Sequence, residues 1–579
     1  MIGVVMFGWK LKRSTVLLWL GLGALAEQVM AASDIDAASR QADLIQQRQQ
    51  QQLQQDREQA QRAIAPGGAD LKTLVPAPAV PAELTPQCHT IQHIVIRNRP
   101  HLSAAVVQEI DARYAGHCLG VNEITQIMGL VTRDYIERGY VTTRAYLPAQ
   151  DLHTGTLLID VVEGVIEQLK QDDGAARLPL NTSFPAGAGQ LLNLRDLEQG
   201  IDQLNRLQSN NATLDIQPGS QPGGSNVVIH NQPSRPVHLF VSYDNQGSVS
   251  TGANQGAAAL TLDNLAGLGE MFTVTHRESI PVSNKEHYSA SDDFNLSLPY
   301  GYNTFSLDVN RSRYINVLSL PSGAQQTAEG NNKISTIGWN RVAYRDQVSR
   351  LTFGAGLTTK DARNYFAQQF LSVSSRKLSV LDLKASYSTA IHNTQWSLDL
   401  DYARGLAEFG AMHDAGILPG EQPHAQFQKV TADLRVHLPF DLLGKAFSYD
   451  SEVFAQQAYD TLYGSEQLLI GSIYSVRGFV NNSLSGDTGY YWRNDLSMAH
   501  QFRIGGETLN GKIYAALDTG WVSNRNPDLQ GGRLTGAAIG LQLRWRGLSW
   551  DLFRSAPVDK PATLSREPAQ TWFRVSAAL

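Results

Sequence analysis

Cysteine is nearly missing from this 579-residue chain, which has two, Cys88 and Cys118, against 49 glycines and 20 tyrosines. Two thiols without clustered histidines do not make a four-ligand metal site, so no metal or other cofactor is expected. Positive charge is also short: Lys and Arg total 48 against 54 Asp and Glu, a formal net charge of −6. That balance supplies no basic field, and nucleic acid is not an expected partner. Long apolar runs are absent beyond the N-terminus, which excludes a membrane-crossing helix from the rest of the chain. Catalytic motifs are missing too. There is no G-x-S-x-G, no H-E-x-x-H and no G-x-x-x-x-G-K-[ST], and the Gly-Lys pairs at Gly444-Lys445 and Gly511-Lys512 lack the flanking residues of a phosphate loop. The chain is not expected to be an enzyme.

What is present falls into segments. Residues 1–32 read as an export signal: Lys10, Lys12 and Arg13 precede the apolar run from Val16 to Ala26, with cleavage options after Ala26 or Ala31. A membrane anchor is the other reading, but the run is well short of the ~20 residues a spanning helix needs. In an oxidising compartment Cys88 and Cys118, an isolated pair, read best as one structural disulfide. Residues 33–63 are Gln-rich, made of strong helix formers, and have hardly any apolar stripe. Such a segment is either a disordered tail or a helix lodged in a wet cavity. Residues 64–86 carry Pro66, Pro76, Pro78, Pro81 and Pro86, the composition of an extended linker.

Residues 87–164 mix periods. "TIQHIVIRN" alternates like a strand, "LSAAVVQEIDARYA" and "VNEITQIMGLVTRDYIERG" are helical, and "YVTTRAYLP" and "GTLLIDVVEG" return to strands, a small α+β unit. A looser unit of the same kind fills residues 165–235, with a helix capped by Asn193. Asn193 and Asp196 are expected as cap and first-turn charge.

From residue 236 to 579 the period becomes two. "TFSLDVNRS" sets Phe305, Leu307 and Val309 against Ser306, Asp308 and Asn310; "VTADLRVHL" and "WSLDLDY" repeat the pattern. In water a sandwich or curled sheet would turn the apolar face inward, whereas a transmembrane barrel turns it to lipid and encloses water. Three features favour the barrel. The strands are near the ~10 residues that cross a bilayer, their polar faces carry full charges, and seven of nine tryptophans lie here, as interfacial girdles require. About sixteen segments are counted, at roughly 21 residues each, giving a mainly β fold with an antiparallel barrel. The C-terminus is "WFRVSAAL", whose Phe573, Val575, Ala577 and Leu579 alternate as a last outward-facing strand should.

With these segments in place, the chain resembles the outer-membrane transporters of two-partner secretion in the Omp85 superfamily. The stretch Gly139 to Gly164, "GYVTTRAYLPAQDLHTGTLLIDVVEG", is close to the family's first POTRA signature, and "YDNQGSVSTG" and "SLPYG" match the barrel opening. The resemblance implies two POTRA domains, a plug helix and a barrel that exports a large secreted partner (adhesin, haemolysin or contact-dependent inhibition toxin) without ATP. It also implies a monomer in outer-membrane lipid, inserted by the barrel-assembly machinery, with its POTRA domains in the periplasm. "VRGF", Val476, Arg477, Gly478 and Phe479, resembles the superfamily motif of an inward-folding loop, whose usual partner is an aspartate on the inner wall; Asp518 in "YAALDTGWV" matches, although Ala516 stands where relatives carry Phe or Gly. Two other readings remain open: a barrel-protein insertase of the same superfamily, and a solute porin.

Overall fold

In the computed structural model the described residues are 34–52, 88–172, 177–320, 323–416, 418–504 and 506–579. The expected signal at 1–32 and linker at 64–86 lie outside them. So do residue 33 and residues 53–63 of the Gln-rich segment.

The first α+β unit stacks helices Ala104–Tyr114 and Val121–Glu137 on a three-stranded sheet in which His93–Arg97 pairs parallel with Thr156–Val162. Apolar residues at helical spacing, Ile124, Ile127, Val131 and Tyr135, meet the inward side of the strand at Leu157, Ile159 and Val161. The stretch "TIQHIVIRN" does not form one strand. It breaks at Gln92, and its first piece, His89–Ile91, turns away to pair with His117–Leu119. Cys88 and Cys118 are joined in a disulfide beside that pair, with Cα atoms 5.3 Å apart, which ties the start of the module to its middle.

The second unit sets the helix Leu194–Asn205 against the strands Val165–Gln171, Ala212–Pro218 and Gly224–Asn231. Asn193 caps the helix by accepting the Arg195 amide at 2.9 Å, and its side-chain amide donates to Arg138 O at 3.2 Å, so the same residue ties the two modules. The exposed face of this helix is not solvated. Gln199 and Gln203 donate to Gly301 O, Arg206 donates to Ser297 Oγ and Gly269 O, and Arg345 pairs with Asp202 at 3.0 Å. Asp196, expected as a first-turn charge, also accepts a hydrogen bond from the Tyr302 hydroxyl. These contacts fix the second module against the barrel turns at one end of the wall.

The barrel is closed by sixteen antiparallel strands from Val237–Asp244 to Gln570–Ala578, with the last pairing back to the first over five residues from Arg574↔Asp244 to Ala578↔Phe240. Alternation builds it. On Asn303–Ser319 the outward Phe305 and Leu307 are exposed while the inward Asn310, Ser312 and Tyr314 are buried. Outward Trp339, Trp396, Trp492 and Trp521 are exposed to the surroundings. Trp572 departs from the girdle expectation: it points inward, stacks on Phe553 and donates to Ser555 Oγ at 2.9 Å. Its neighbours are the polar side chains and loop packed in the lumen, and a ring with one N–H suits that mixed surface.

Candidate transport site in the barrel lumen

The connection between the strands Lys445–Ala458 and Thr488–Ile504 is long, and it runs into the barrel. Its two sides pair as a short ladder, Leu468–Ile470 with Leu484–Gly486. Val476 and Phe479 at its tip are fully buried and pack with Ile470, Leu484, Val522 and Leu534. This burial, absent from an ordinary surface loop, holds the tip against the inner wall.

Arg477 lies at the tip between two carboxylates. Nε and Nη2 donate to Asp518 Oδ2 and Oδ1 at 2.6 and 2.7 Å, a bidentate pair, and the Arg477 amide adds a third bond at 3.1 Å. The second partner is Asp495, reached by Nη1 at 2.8 Å and Nη2 at 3.1 Å. Asp518 is completely buried, whereas the Asp495 side chain keeps 24% exposure. Burial works against the guanidinium's proton, but the two carboxylates outweigh it and raise its pKa. The arginine therefore stays charged and acts as a fixed pin, not as a titrating switch.

The sequence pointed to Asp518 and missed Asp495. Asp495 lies opposite Ala516, two positions before Asp518 on the neighbouring strand, so both carboxylates share the inward face. The small side chain at Ala516 sits beside this pair in a cluster with Ile473, Tyr514 and Phe553. An inward Asp one register step from Asp518 was findable by alternation, once the strand pairing was known.

Two glycines make the close approach possible. Gly478 has φ +108°, and a Cβ there would lie 2.5 Å from the Ala556 backbone. Gly536 on the wall leaves a notch for the Arg477 carbonyl, since a Cβ at 536 would sit 1.6 Å from that oxygen. On the other side of the tip, the Glu567 carboxylate accepts the amides of Val480, Asn481 and Asn482 at 2.6 to 3.1 Å. At the loop base Glu466 pairs with Lys360 and, at 3.1 Å, with Lys429; burial pushes its carboxyl up, but the two lysines prevail and hold it below the usual value.

Helix 34–52 occupies the lumen against this loop. Gln47 donates to Gly464 O and Gln467 O, Gln51 donates to Leu469 O and accepts from Ser472 Oγ, and Ser312 Oγ on the wall donates to Gln49. Arg376 pairs with Asp43 at 3.5 Å. The helix is less uniformly polar than its composition suggests. Ala38, Ala42 and Ile45 are buried at i, i+4 and i+7, with Ile45 against the wall residue Tyr314. Glutamine amides supply the remaining contacts, each able to donate and accept on a polar wall.

Residues 223–543 match the family model described as haemolysin secretion/activation protein ShlB/FhaC/HecB, and residues 89–164 and 165–218 match two POTRA models. The chain belongs to this family. It is 32% identical to the outer membrane transporter CdiB of Dickeya dadantii strain 3937, over 92% of this chain and 93% of the relative. The hemolysin transporter protein ShlB of Serratia marcescens is 32% identical over 88% and 86%. The solved structure of CdiB from Escherichia coli superposes with a TM-score of 0.83 at 31% identity, covering 93% of this chain and 98% of that one. The chain is thus an outer-membrane transporter of the two-partner secretion type, with its POTRA domains on the periplasmic side. The barrel turns that hold the second POTRA domain are then periplasmic, and the lumenal loop enters from the cell surface.

Proposed function

We propose that the barrel is the conduit for one large secreted exoprotein, an adhesin, haemolysin or contact-dependent inhibition toxin, which crosses it unfolded. The observation that carries this reading is the lumen itself: a wall lined by polar and charged side chains, filled by a polar helix and a pinned loop instead of a solid apolar core. Both fillings are held by hydrogen bonds and ion pairs, which water and a passing chain can replace one at a time. The POTRA domains receive the unfolded exoprotein by strand addition at a sheet edge, which supplies backbone bonds without demanding one side-chain sequence. No nucleotide site is expected from the sequence, and folding outside the cell would drive export. Helix 34–52 plugs the pore at rest, and Arg477, with Asp518 and Asp495, holds the loop until the exoprotein arrives.

The test is a deletion of this gene in its own cells, with secretion of a large exoprotein that carries an N-terminal secretion domain followed at the cell surface. Loss of the exoprotein from the surface, with other barrel proteins assembled normally, supports the reading. Unfolded barrel proteins accumulating in the periplasm would instead identify an insertase.

A further inference from the structure

The outside of the wall carries a feature that export does not use. On five adjacent strands, from Met271–Ser279 to Ser349–Phe366, outward positions Phe272, Leu296, Leu307, Ile337 and Leu357 lie directly opposite one another and form an apolar row. Four residues further toward the cell surface along each strand, the row reads His276, Asp292, Arg311, Lys333 and Asp361, continuing to Lys377 on the next strand. Between them lies Val274, Phe294, Val309, Ser335 and Thr359. The wall therefore changes from apolar to charged over two side-chain steps, about 13 Å of strand.

Within the charged row Arg311 and Lys333 are directly opposed and both exposed. Like charges in that position repel, since side chains facing each other across antiparallel strands are about 5 Å apart at Cβ. On its other side each cation is opposed by a carboxylate, Asp292 across from Arg311 and Asp361 across from Lys333, which eases the repulsion in part; the close ion pairs of these carboxylates are with other residues, Asp292 with His276 at 2.7 Å and Asp361 with Arg363 at 2.9 Å. Among the described residues no carboxylate comes within ion-pair distance of Arg311 or Lys333. Arg313, one step beyond Arg311 on the same face, is positioned over the Tyr288 ring at 5.4 Å and donates to its hydroxyl at 3.1 Å. Arg313 and Arg363 stand in the next row toward the surface, on either side of Asn331, with the charge of Arg363 met by Asp361.

We propose that Arg311 and Lys333 bind the phosphate of an outer-leaflet lipid headgroup whose acyl chains lie on the apolar surface formed by Phe294 and Val309 and, one step further, Leu307 and Ile337. A phosphate between the two cations turns their repulsion into attraction, and it accepts several charge-assisted hydrogen bonds at once. The apolar row directly below is what separates a lipid from a free anion as occupant. A soluble phosphate would gain nothing from it, whereas acyl chains cover side chains that are otherwise open, such as Ile337 at 64% exposure and Leu307 at 36%.

The test uses the full chain purified in a neutral detergent, with bound lipid read by native mass spectrometry. The probes are a bis-phosphorylated glucosamine lipid (lipid A), its dephosphorylated form, and inorganic phosphate. The Arg311→Gln/Lys333→Gln variant should bind the phosphorylated lipid roughly 30-fold more weakly, two cations at ~1 kcal/mol each, and should bind the dephosphorylated lipid as the native chain does. The Arg311→Lys/Lys333→Arg variant keeps both charges and should keep binding, which separates recognition from a folding defect. Unchanged affinity in the glutamine variant, equal loss for both lipids, or inorganic phosphate binding as tightly as the lipid would each overturn the assignment.

Discussion

Replacing Asp518 by asparagine keeps the shape of the side chain and removes the charge that pins the loop. Asp518 is fully buried and accepts three bonds from Arg477, so the substitution leaves a buried guanidinium with Asp495 as its remaining carboxylate. Removing one partner of a buried pair costs ~3–5 kcal/mol. Asp495 accepts two bonds and keeps a quarter of its side chain open, where lumen water screens the pair. Asp495→Asn should therefore cost about 1 kcal/mol. The opening can be read chemically, because Ser475, two residues before the arginine, is fully buried and the native cysteines are locked in a disulfide. In a Ser475→Cys background, maleimide labelling occurs when the loop leaves the wall, at a rate proportional to the open population. Asp518→Asn should speed labelling by two orders of magnitude or more, and Asp495→Asn roughly fivefold.

A double substitution completes the test. Arg477→Gln/Asp518→Asn removes both buried charges and leaves Asp495 in contact with water, so labelling should fall back from the Asp518→Asn rate toward the native one. If Asp495→Asn accelerates labelling as much as Asp518→Asn, the burial argument fails. If the double variant opens as readily as Asp518→Asn alone, the two groups are not coupled and the pin is not an ion pair.

Deleting residues 34–52 should raise single-channel conductance in planar bilayers, because it takes out the helix bonded to the wall at Ser312 and to the loop at Gly464 and Ser472; an unchanged conductance would show that the helix does not obstruct the pore. Glu466→Gln leaves Lys360 and Lys429 without their shared carboxylate and should lower stability to urea by ~3 kcal/mol while the strand content by circular dichroism stays native; a shift under 1 kcal/mol would mean that lumen water already solvates these lysines.

Much of this fold was legible because one physical signal dominates it. A strand with lipid outside and water inside must alternate over its whole length, so Phe305, Leu307 and Val309 announced their side from the sequence alone. The same signal fails where both faces are covered by protein. Trp572 and Tyr514 face inward under the loop and read, by residue type, like the girdle. "TIQHIVIRN" reads as one strand, yet its apolar phase slips between Ile91 and Ile94 and the chain parts there, at Gln92, and the disulfide beside the His117–Leu119 pairing lies across a separation of 30 residues. Contacts between domains were harder still. Gln199, Gln203 and Arg206 are ordinary exposed-face residues on an amphipathic helix until the barrel turns at Gly301 and Gly269 are placed against them.

The site shows the same division in smaller compass. Arg477 and Asp518 were found through a motif that marks a short stretch of chain, and a motif of that kind holds no information about a partner on another strand. Asp495 and Glu567 complete the hold on the loop, one from the strand that follows it and one from the last connection before the C-terminal strand. Neither stands in a distinctive local sequence. What identifies them is closure: a barrel brings strands distant in sequence to one wall, and a charged tip pressed against that wall must find its counter-charges there or stay out in water. Had the tip carried a neutral residue at 477, the fully buried Asp518 would lose the cation bonded to it, and the loop would gain by leaving. The arginine thus supplies the counter-charge that a tip pressed on this wall requires, and the second aspartate gives it a partner that lumen water also reaches.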